Sequence, residues 1–336
     1  MPENIDKQPV RQNVFDPSMQ TENIAFDAGE MVPCGGCKRP NPPNRLMCLY
    51  CGKDIELPPD LARQVRPDLR KLDAWERGFN IVLRQRSPDA DIARAASFLS
   101  MEFDDLNRLV DTESRLPVAR VESREQADLI LAALGGMALD CTLVSDESLA
   151  EEKPNKRISG LEFLSDSIGF KDFNTGNNTR IPTEKIALIV TGVISKTKID
   201  SLEKRRRRGE SKVIDESAIS ADDVVLDIYL SENPIGFRLL PSGFDFSCLG
   251  DKKGLLAREN WGRLLVQLKA FLPGVKVVDD YPRVRSALGT VWPVESRTET
   301  KGIVPSGFGK REFGSVASTS NLSQFNKYSR LQWHLL

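Results

Sequence analysis

Residues 34–52, CGGCKRPNPPNRLMCLYCG, contain four cysteines arranged as two C-x-x-C pairs with ten residues between the pairs. This spacing is typical of two knuckles that together present four thiolates to one tetrahedral metal ion. We therefore predict a single structural ion, zinc, held by Cys34, Cys37, Cys48 and Cys51. Four thiolates leave no coordination position for water or substrate, so we expect the ion to organise the fold and to take no part in catalysis.

Two other uses of the four thiols compete with zinc. Iron is also bound by thiolates, and it stays open as the alternative metal. A thioredoxin-type redox pair is disfavoured, because that motif is a single C-x-x-C in a βαβ context and neither pair here has such a context. Stable disulfides are rare in the cytosol, where we expect the chain to reside.

The middle and the end of the segment carry a family resemblance. Asn41 and Pro42 lie between the pairs and Gly52 follows the second pair, so that the segment resembles the small zinc ribbons common in bacterial multidomain proteins. It also resembles nucleoporin-type zinc fingers, some of which bind single-stranded RNA or ubiquitin, but that family has a tryptophan where this chain has Val32. The resemblance to the bacterial ribbon implies a metal-stabilised interaction module over residues 31–57.

The overall composition is that of a globular chain. Of the 336 residues, 40% are apolar and 28% are charged, and the net charge is −1. This balance argues against a protein whose whole surface attracts nucleic acid or anionic lipid. The sequence has no run of about 20 apolar residues that would predict a membrane-spanning helix. The polar segment 1–30 shows no signal peptide and is predicted to be disordered. We therefore expect a cytoplasmic protein without a transmembrane segment.

Residues 76–146 alternate between strand and helix patterns, in the order β-α-α-β-α-β. The predicted elements are 78–85, 87–100, 102–112, 116–121, 123–140 and 141–146, with Ser87 and Ser123 as helix N-caps. The stretch VARVESREQADLILAALGGMALDCTLVS resembles the small α/β domain of the ribosomal stalk C-terminus and of the Clp protease adaptor, which implies a fold used for protein contact. The adaptor's degron-binding Asn-Asp-Asp turn is replaced here by Arg84 to Ser87, so the resemblance does not extend to that pocket.

The pattern changes to strands after a polar linker at 147–157. Residues 158–275 contain several β-rich runs and one amphipathic helix, predicted at 255–273. They resemble bacterial pleckstrin-homology-like domains, which implies a binding or scaffold domain. We predict a disordered basic loop at 196–222 within it and an irregular tail at 276–336 after it. The predicted fold class is multidomain α+β, with a zinc ribbon, a small α/β domain and a β-rich domain closed by a helix.

The predicted loop contains a run of five cations, which are Lys204, Arg205, Arg206, Arg207 and Arg208. Because acidic residues flank the run, one interpretation is an exposed segment without a ligand. A second is a patch for the phosphate groups of nucleic acid or anionic lipid, and a third is a site for an acidic protein partner. No aromatic residue interrupts the arginines, so the run offers no surface for base stacking.

Candidate catalytic groups are scarce. The single histidine is His334, and the sequence contains no G-x-S-x-G or H-E-x-x-H motif and no Cys/His pair. Cys141 and Cys248 stand alone among apolar residues and are predicted to be buried and inert.

Three functions follow from these observations. The favoured one is a non-catalytic, zinc-binding adaptor or regulatory scaffold for protein partners. The first alternative is a nucleic-acid-associated protein that uses Lys38, Arg39 and Arg45 together with the arginine run. The second alternative is an enzyme whose site is not recognisable in the sequence.

Overall fold

The computed structural model describes residues 31–42, 48–53, 55, 70–112, 114–149, 153–205, 211–305 and 311–336. The chain forms two compact units, residues 1–61 and residues 62–336. Helices and a large mixed sheet occur together in the described part, which confirms the α+β class. The predicted disordered segment 1–30 lies outside the described residues.

The described part of the N-terminal unit has a very small core. Its strands β1 (Val32–Pro33) and β2 (Pro40–Asn41) pair antiparallel, with Val32 opposite Asn41. The buried apolar cluster among its described residues is Val32, Cys34, Cys48 and Ile55. Among the described residues, this core buries little apolar surface against the entropy of ordering the chain, so a further cross-link would stabilise this part of the unit.

The predicted β-α-α-β-α-β order is confirmed at the start of the second unit. The elements are β3 (Phe79–Arg86), α1 (Ile92–Leu99), α2 (Phe103–Val110), β4 (Pro117–Val121), α3 (Arg124–Gly135) and β5 (Leu139–Ser145). The three strands form an antiparallel sheet in the order β4-β3-β5.

One of the two predicted helix caps in this region is confirmed. Ser123 caps α3 and accepts a hydrogen bond from the Gln126 backbone N–H. The predicted cap at Ser87 is wrong, because α1 begins at Ile92 and its cap is Asp91, whose carboxylate accepts from the Arg94 N–H. Aspartate and serine are comparable N-cap acceptors, but the negative charge of the carboxylate also complements the helix dipole.

The remaining strands of the described residues form one large sheet. They are β6 (Lys156–Phe163), β7 (Ser167–Asp172), β8 (Asn178–Pro182), β9 (Ile186–Arg205), β10 (Ser211–Leu230), β11 (Asn233–Leu239), β12 (Lys276–Val278), β13 (Glu295–Pro305) and β14 (Arg311–Ser320). Their order is β13-β14-β9-β10-β11-β6-β7-β8, and β12 pairs in parallel with the first part of β9. Three further helices of the described residues belong to this unit: α4 (Ala257–Phe271), α5 (Tyr281–Leu288) and α6 (Leu322–His334). Short 3₁₀ segments lie at Asp146–Leu149, Thr183–Lys185 and Phe246–Lys252, the last of them interrupted by non-helical backbone at Gly250.

The prediction of a disordered basic loop at 196–222 is wrong for its described residues. β9 continues to Arg205, β10 begins at Ser211, and the two strands stay paired along their length. β14 pairs with the other side of β9, from Lys196 to Glu203. Strand prediction depends on a buried apolar face, which these residues lack. Main-chain hydrogen bonds to two neighbouring strands hold them in the sheet instead.

The prediction of an irregular tail at 276–336 is also wrong. The described residues of that range form three strands and two helices. α6 is buried although most of its side chains are polar, and Phe325, Tyr328 and Leu331 are fully inaccessible. Several of its polar groups have partners in other elements, for example Gln332, which donates to the Arg115 carbonyl oxygen at 3.0 Å, whereas Tyr328 Oη and Arg330 Nη1 are buried without a hydrogen-bond partner among the described residues. An amphipathic pattern cannot reveal a helix whose polar side is buried as well.

The α/β region and the large sheet share one hydrophobic core. Val82, Leu116 and Val144 of the α/β region belong to the same cluster as Leu188 and Val190 of β9. Trp292 adds a polar contact across the same boundary, because its indole Nε1–H donates to Asn80 Oδ1 at 2.7 Å. The predicted linker therefore connects two parts of one packed unit.

We expect Gly192→Ala to lower the free energy of unfolding of the second unit by about 1–3 kcal/mol, because overpacking a full core forces neighbours out of place. A Cβ at position 192 would overlap the ring of Phe325, which is fully buried and has nowhere to move. Denaturant unfolding measures the change. Gly262→Ala is the matched control, since the interior of α4 has open space at that position; it should raise stability by about 0.5–1 kcal/mol. Equal effects of the two substitutions would contradict this packing.

Candidate metal centre

The four predicted ligands converge in the N-terminal unit. Their sulfur atoms all lie within 4.8 Å of one another. The Sγ atoms of Cys34 and Cys51 are 3.6 Å apart, and those of Cys37 and Cys48 are 3.5 Å apart. A tetrahedral ion with metal–sulfur bonds of about 2.3 Å holds its sulfurs about 3.8 Å apart. The geometry fits such an ion, so the cluster can hold one metal with four protein ligands.

The two C-x-x-C pairs repeat the same backbone geometry. In the first knuckle the Cys34 carbonyl oxygen accepts from the Lys38 N–H at 2.9 Å, and in the second the Cys48 carbonyl accepts from the Gly52 N–H at 3.0 Å. The residue that closes each turn is left-handed, with φ of 62° at Lys38 and 68° at Gly52. Backbone N–H groups also point at sulfur, from Gly36 to Cys34 Sγ at 3.3 Å and from Tyr50 to Cys48 Sγ at 3.4 Å.

Asn41 connects the two knuckles. It is fully buried, and its Nδ2 donates to the Arg39 carbonyl at 2.8 Å and to Cys48 Sγ at 3.5 Å. Its Oδ1 accepts from the Leu49 N–H at 2.9 Å. One side chain therefore orients a ligand and fixes both turns, which is the role of an outer-shell residue in metal sites. The Asn-Pro motif marked this position in the sequence, but its contacts with Cys48 and Leu49 appear only in the structure.

The electrostatics of the cluster favour negative charge on some sulfurs and oppose it on others. The N–H groups of Cys37 and Gly36 lower the pKa of Cys34. Burial raises the pKa of Cys48, but hydrogen bonds from the Tyr50 and Cys51 N–H groups outweigh it and bring the pKa to about 6. For Cys51 the Lys53 N–H lowers the pKa, whereas burial and the neighbouring thiols raise it to about 11. A bound divalent cation would be needed to keep Cys51 deprotonated at neutral pH.

Several of the other residues singled out in the sequence belong to the second unit or are outside the described residues. Lys204 and Arg205 are the last residues of β9, and the register puts Lys204 directly opposite Lys212 of β10. His334 ends α6. Three arginines of the basic run, Arg206 to Arg208, and Arg45 of the zinc segment are not described.

Cys141 and Cys248 are partly buried, where full burial was predicted. Burial raises the pKa of the Cys141 thiol to about 12 and that of the Cys248 thiol to about 11. Both groups are therefore protonated at neutral pH, and a protonated thiol is a poor nucleophile.

Comparison with known proteins gives no family for this chain. No family model, curated protein or solved structure matches it. The resemblances to zinc ribbons, to the stalk and adaptor fold and to pleckstrin-homology-like domains accordingly remain predictions. Across the described ranges, the helices are all too short or too polar to span a bilayer.

We expect Asn41→Ala to weaken metal binding by about 10–100-fold, because it removes the side chain that orients Cys48 and ties the turns together. Competition against a chromophoric chelator under reducing conditions measures the affinity. Asn178→Ala, which removes an exposed amide from β8, is the control and should bind metal like the unaltered protein. Equal affinity of the Asn41 variant and the control would rule out this role.

Gly52→Ala should destabilise the metal-loaded N-terminal unit by about 1 kcal/mol, because a Cβ is disfavoured in a left-handed turn. Gly35→Ala is the matched control. Both positions have open space for a Cβ, but only Gly52 has a positive φ. The thiolate absorption of the cobalt-substituted protein reports the unfolding of this unit in denaturant. If both substitutions shift the midpoint equally, the conformation of the second knuckle is not the cause.

Proposed function

We propose that the chain is a non-catalytic adaptor or regulatory scaffold whose N-terminal unit binds one structural zinc ion and contacts a protein partner. The chemistry of the cluster supports the structural role, since four cysteine ligands complete the coordination of a tetrahedral ion. The small size of the buried cluster around Cys34 and Cys48 supports it too, because the ion would supply the missing stabilisation.

Zinc is the metal we assign. Tetrahedral four-thiolate sites take zinc or iron. Zinc has no redox chemistry and no geometric preference of its own, which suits an ion whose task is to hold two knuckles together. Elemental analysis and the visible spectrum of purified protein distinguish the two metals, since a ferric thiolate site is coloured and a zinc site is not.

An exposed apolar pair beside the cluster carries the proposal of a partner. Leu49 and Tyr50 occupy the two positions between Cys48 and Cys51, and they are 52% and 54% exposed. The Arg39 guanidinium lies 4.8 Å from the centre of the Tyr50 ring. Tyrosine and arginine are enriched at the centres of protein interfaces, where a rigid aromatic side chain loses little entropy on binding. The metal would fix the backbone that presents this surface.

A second candidate function rests on the end of the β9–β10 hairpin. The backbone register there pairs Lys204 with Lys212, and like charges at directly opposite positions are unfavourable unless an anion lies close. The sequence continues from Arg205 into three more arginines. Phosphate groups of nucleic acid or anionic lipid have the required charge. Binding of this kind weakens steeply with added salt, which separates it from binding through Leu49 and Tyr50.

The test combines variants with nuclease treatment in extracts of the protein's own cells. Leu49→Ala with Tyr50→Ala should reduce partner recovery at least about tenfold, as expected for a central aromatic anchor. Metal content should stay at one equivalent per chain. Trp75→Ala is the control, because it removes an 80% exposed aromatic side chain from the second unit. Partners that disappear on nuclease treatment would favour the nucleic-acid function, and unchanged recovery with the double variant would overturn the proposed interface.

A further inference from the structure

Four strands of the large sheet extend beyond the core and form what we call the arm, residues 196–205, 211–223, 295–305 and 311–320. Their order is β13-β14-β9-β10, and all neighbouring pairs are antiparallel. The described side chains of its outer strands are largely exposed, including Ser217 to Asp223 of β10 and Ser296 to Lys301 of β13. β13 forms one edge of the sheet, and no described strand pairs with its outer side.

An unpaired edge presents a row of free N–H and C=O groups and is a template for another strand. The charges along β13 determine which strand fits. The sequence Glu295-Ser-Arg-Thr-Glu-Thr-Lys301 alternates acid and base at every second residue. Alternate residues of a strand share a face, so Glu295, Arg297 and Glu299 lie on the same face. Lys301 reaches that face as well. Its Nζ lies 2.6 Å from Oδ1 of Asp200. Asp200 is on the same face as Glu299, because both are directly opposite Val316 of the strand between them.

This pattern is complementary to itself when the strand is reversed. If two β13 strands pair antiparallel about Thr298, each Arg297 lies opposite Glu299 of the other copy. Each Glu295 comes near Lys301, which lies at a shift in the β13–β14 register between Thr300 and Gly302. All four charged pairs are then favourable, and the other face contains only Ser296, Thr298 and Thr300. We propose that β13 is a dimerisation edge that pairs with β13 of a second copy of this chain and joins two arms into one continuous sheet. This inference does not depend on the proposed zinc module or its partner.

The opposite edge of the arm lacks this property. The part of β10 beyond the reach of β11 has four acidic residues, Asp215, Glu216, Asp222 and Asp223, and one cation, Lys212. Antiparallel pairing of two such strands brings acid against acid, which is unfavourable. Charge of this kind is a known protection of edge strands. The two edges therefore differ, and only β13 is matched to its own copy.

Charge exchange tests the pairing directly. One full-length variant has Glu295→Lys and Glu299→Lys, and the other has Arg297→Glu and Lys301→Glu. Each should dissociate at least about tenfold more readily than the unaltered protein, because like charges then face each other at every pair. An equimolar mixture of the two should recover dimers. Lys301→Glu also removes the contact of Lys301 with Asp200 within the same chain. Asp200→Asn removes the charge of that partner without changing β13, so it is the control and should leave association unchanged. Sedimentation velocity over a range of protein and salt concentrations measures these states, and circular dichroism verifies folding.

Cysteine cross-linking tests the register. Directly opposite residues of antiparallel strands have Cα atoms about 4.5–5.5 Å apart, within the range that a disulfide spans. Thr298→Cys should therefore form a covalent dimer with oxidised glutathione. Ser296→Cys is the matched control, because its two copies would lie about 14 Å apart along the strands. The unaltered protein gives the background from the native cysteines.

Three results would overturn the proposal. The unaltered chain could sediment as a monomer at all concentrations, which would assign the edge to another occupant. Each charge variant could associate alone as tightly as the unaltered chain. Ser296→Cys could cross-link as efficiently as Thr298→Cys, which would exclude a register centred on Thr298.

Discussion

The packing of the second unit depends on helix α6, which is buried between the α/β region and the large sheet. The helix places polar groups in the interior, and these groups form hydrogen bonds with several different elements. Ser329 donates to Asp227, which also forms a bidentate ion pair with Arg238 at 2.7 Å. Gln324 accepts from the Tyr281 hydroxyl and donates to the Trp292 carbonyl. Buried polar groups are costly without partners, so these hydrogen bonds favour the observed position of the helix over others.

The structure could be predicted from the sequence wherever the local motif or hydropathy pattern agreed with the burial of the side chains. The four cysteines could be assigned to one cluster, because C-x-x-C spacing fixes the direction of each pair of sulfurs. The β-α-α-β-α-β order was predictable for a similar reason, since each helix there has one apolar stripe and each strand packs against it. The site itself was found only in part. Asn41 was recognised as part of a motif, whereas the surface made by Arg39, Leu49 and Tyr50 required coordinates.

The errors have two opposite physical causes. Residues 196–205 form a strand although their sequence, KTKIDSLEKR, has no apolar face, because β10 and β14 satisfy the main chain on both sides. Residues 322–334 form a buried helix although they are mostly polar, because their side chains find partners inside the protein. Hydropathy patterns assume that polar residues face water and that strands bury one face. Both assumptions fail where hydrogen bonds across long sequence separations determine the structure.

The position of β9 in the sheet has a consequence for folding. One side of β9 is completed at once by the β10 hairpin, but the other side receives β12 and β14, which come much later in the sequence. Closing such long loops is slow, so an incompletely folded chain has a long vacant edge for some time. Lys196, Lys198 and Asp200 lie along that edge, and charged residues discourage aggregation of exposed strands. The polarity that conceals this strand from pattern analysis would thus protect the nascent molecule until its last partners arrive.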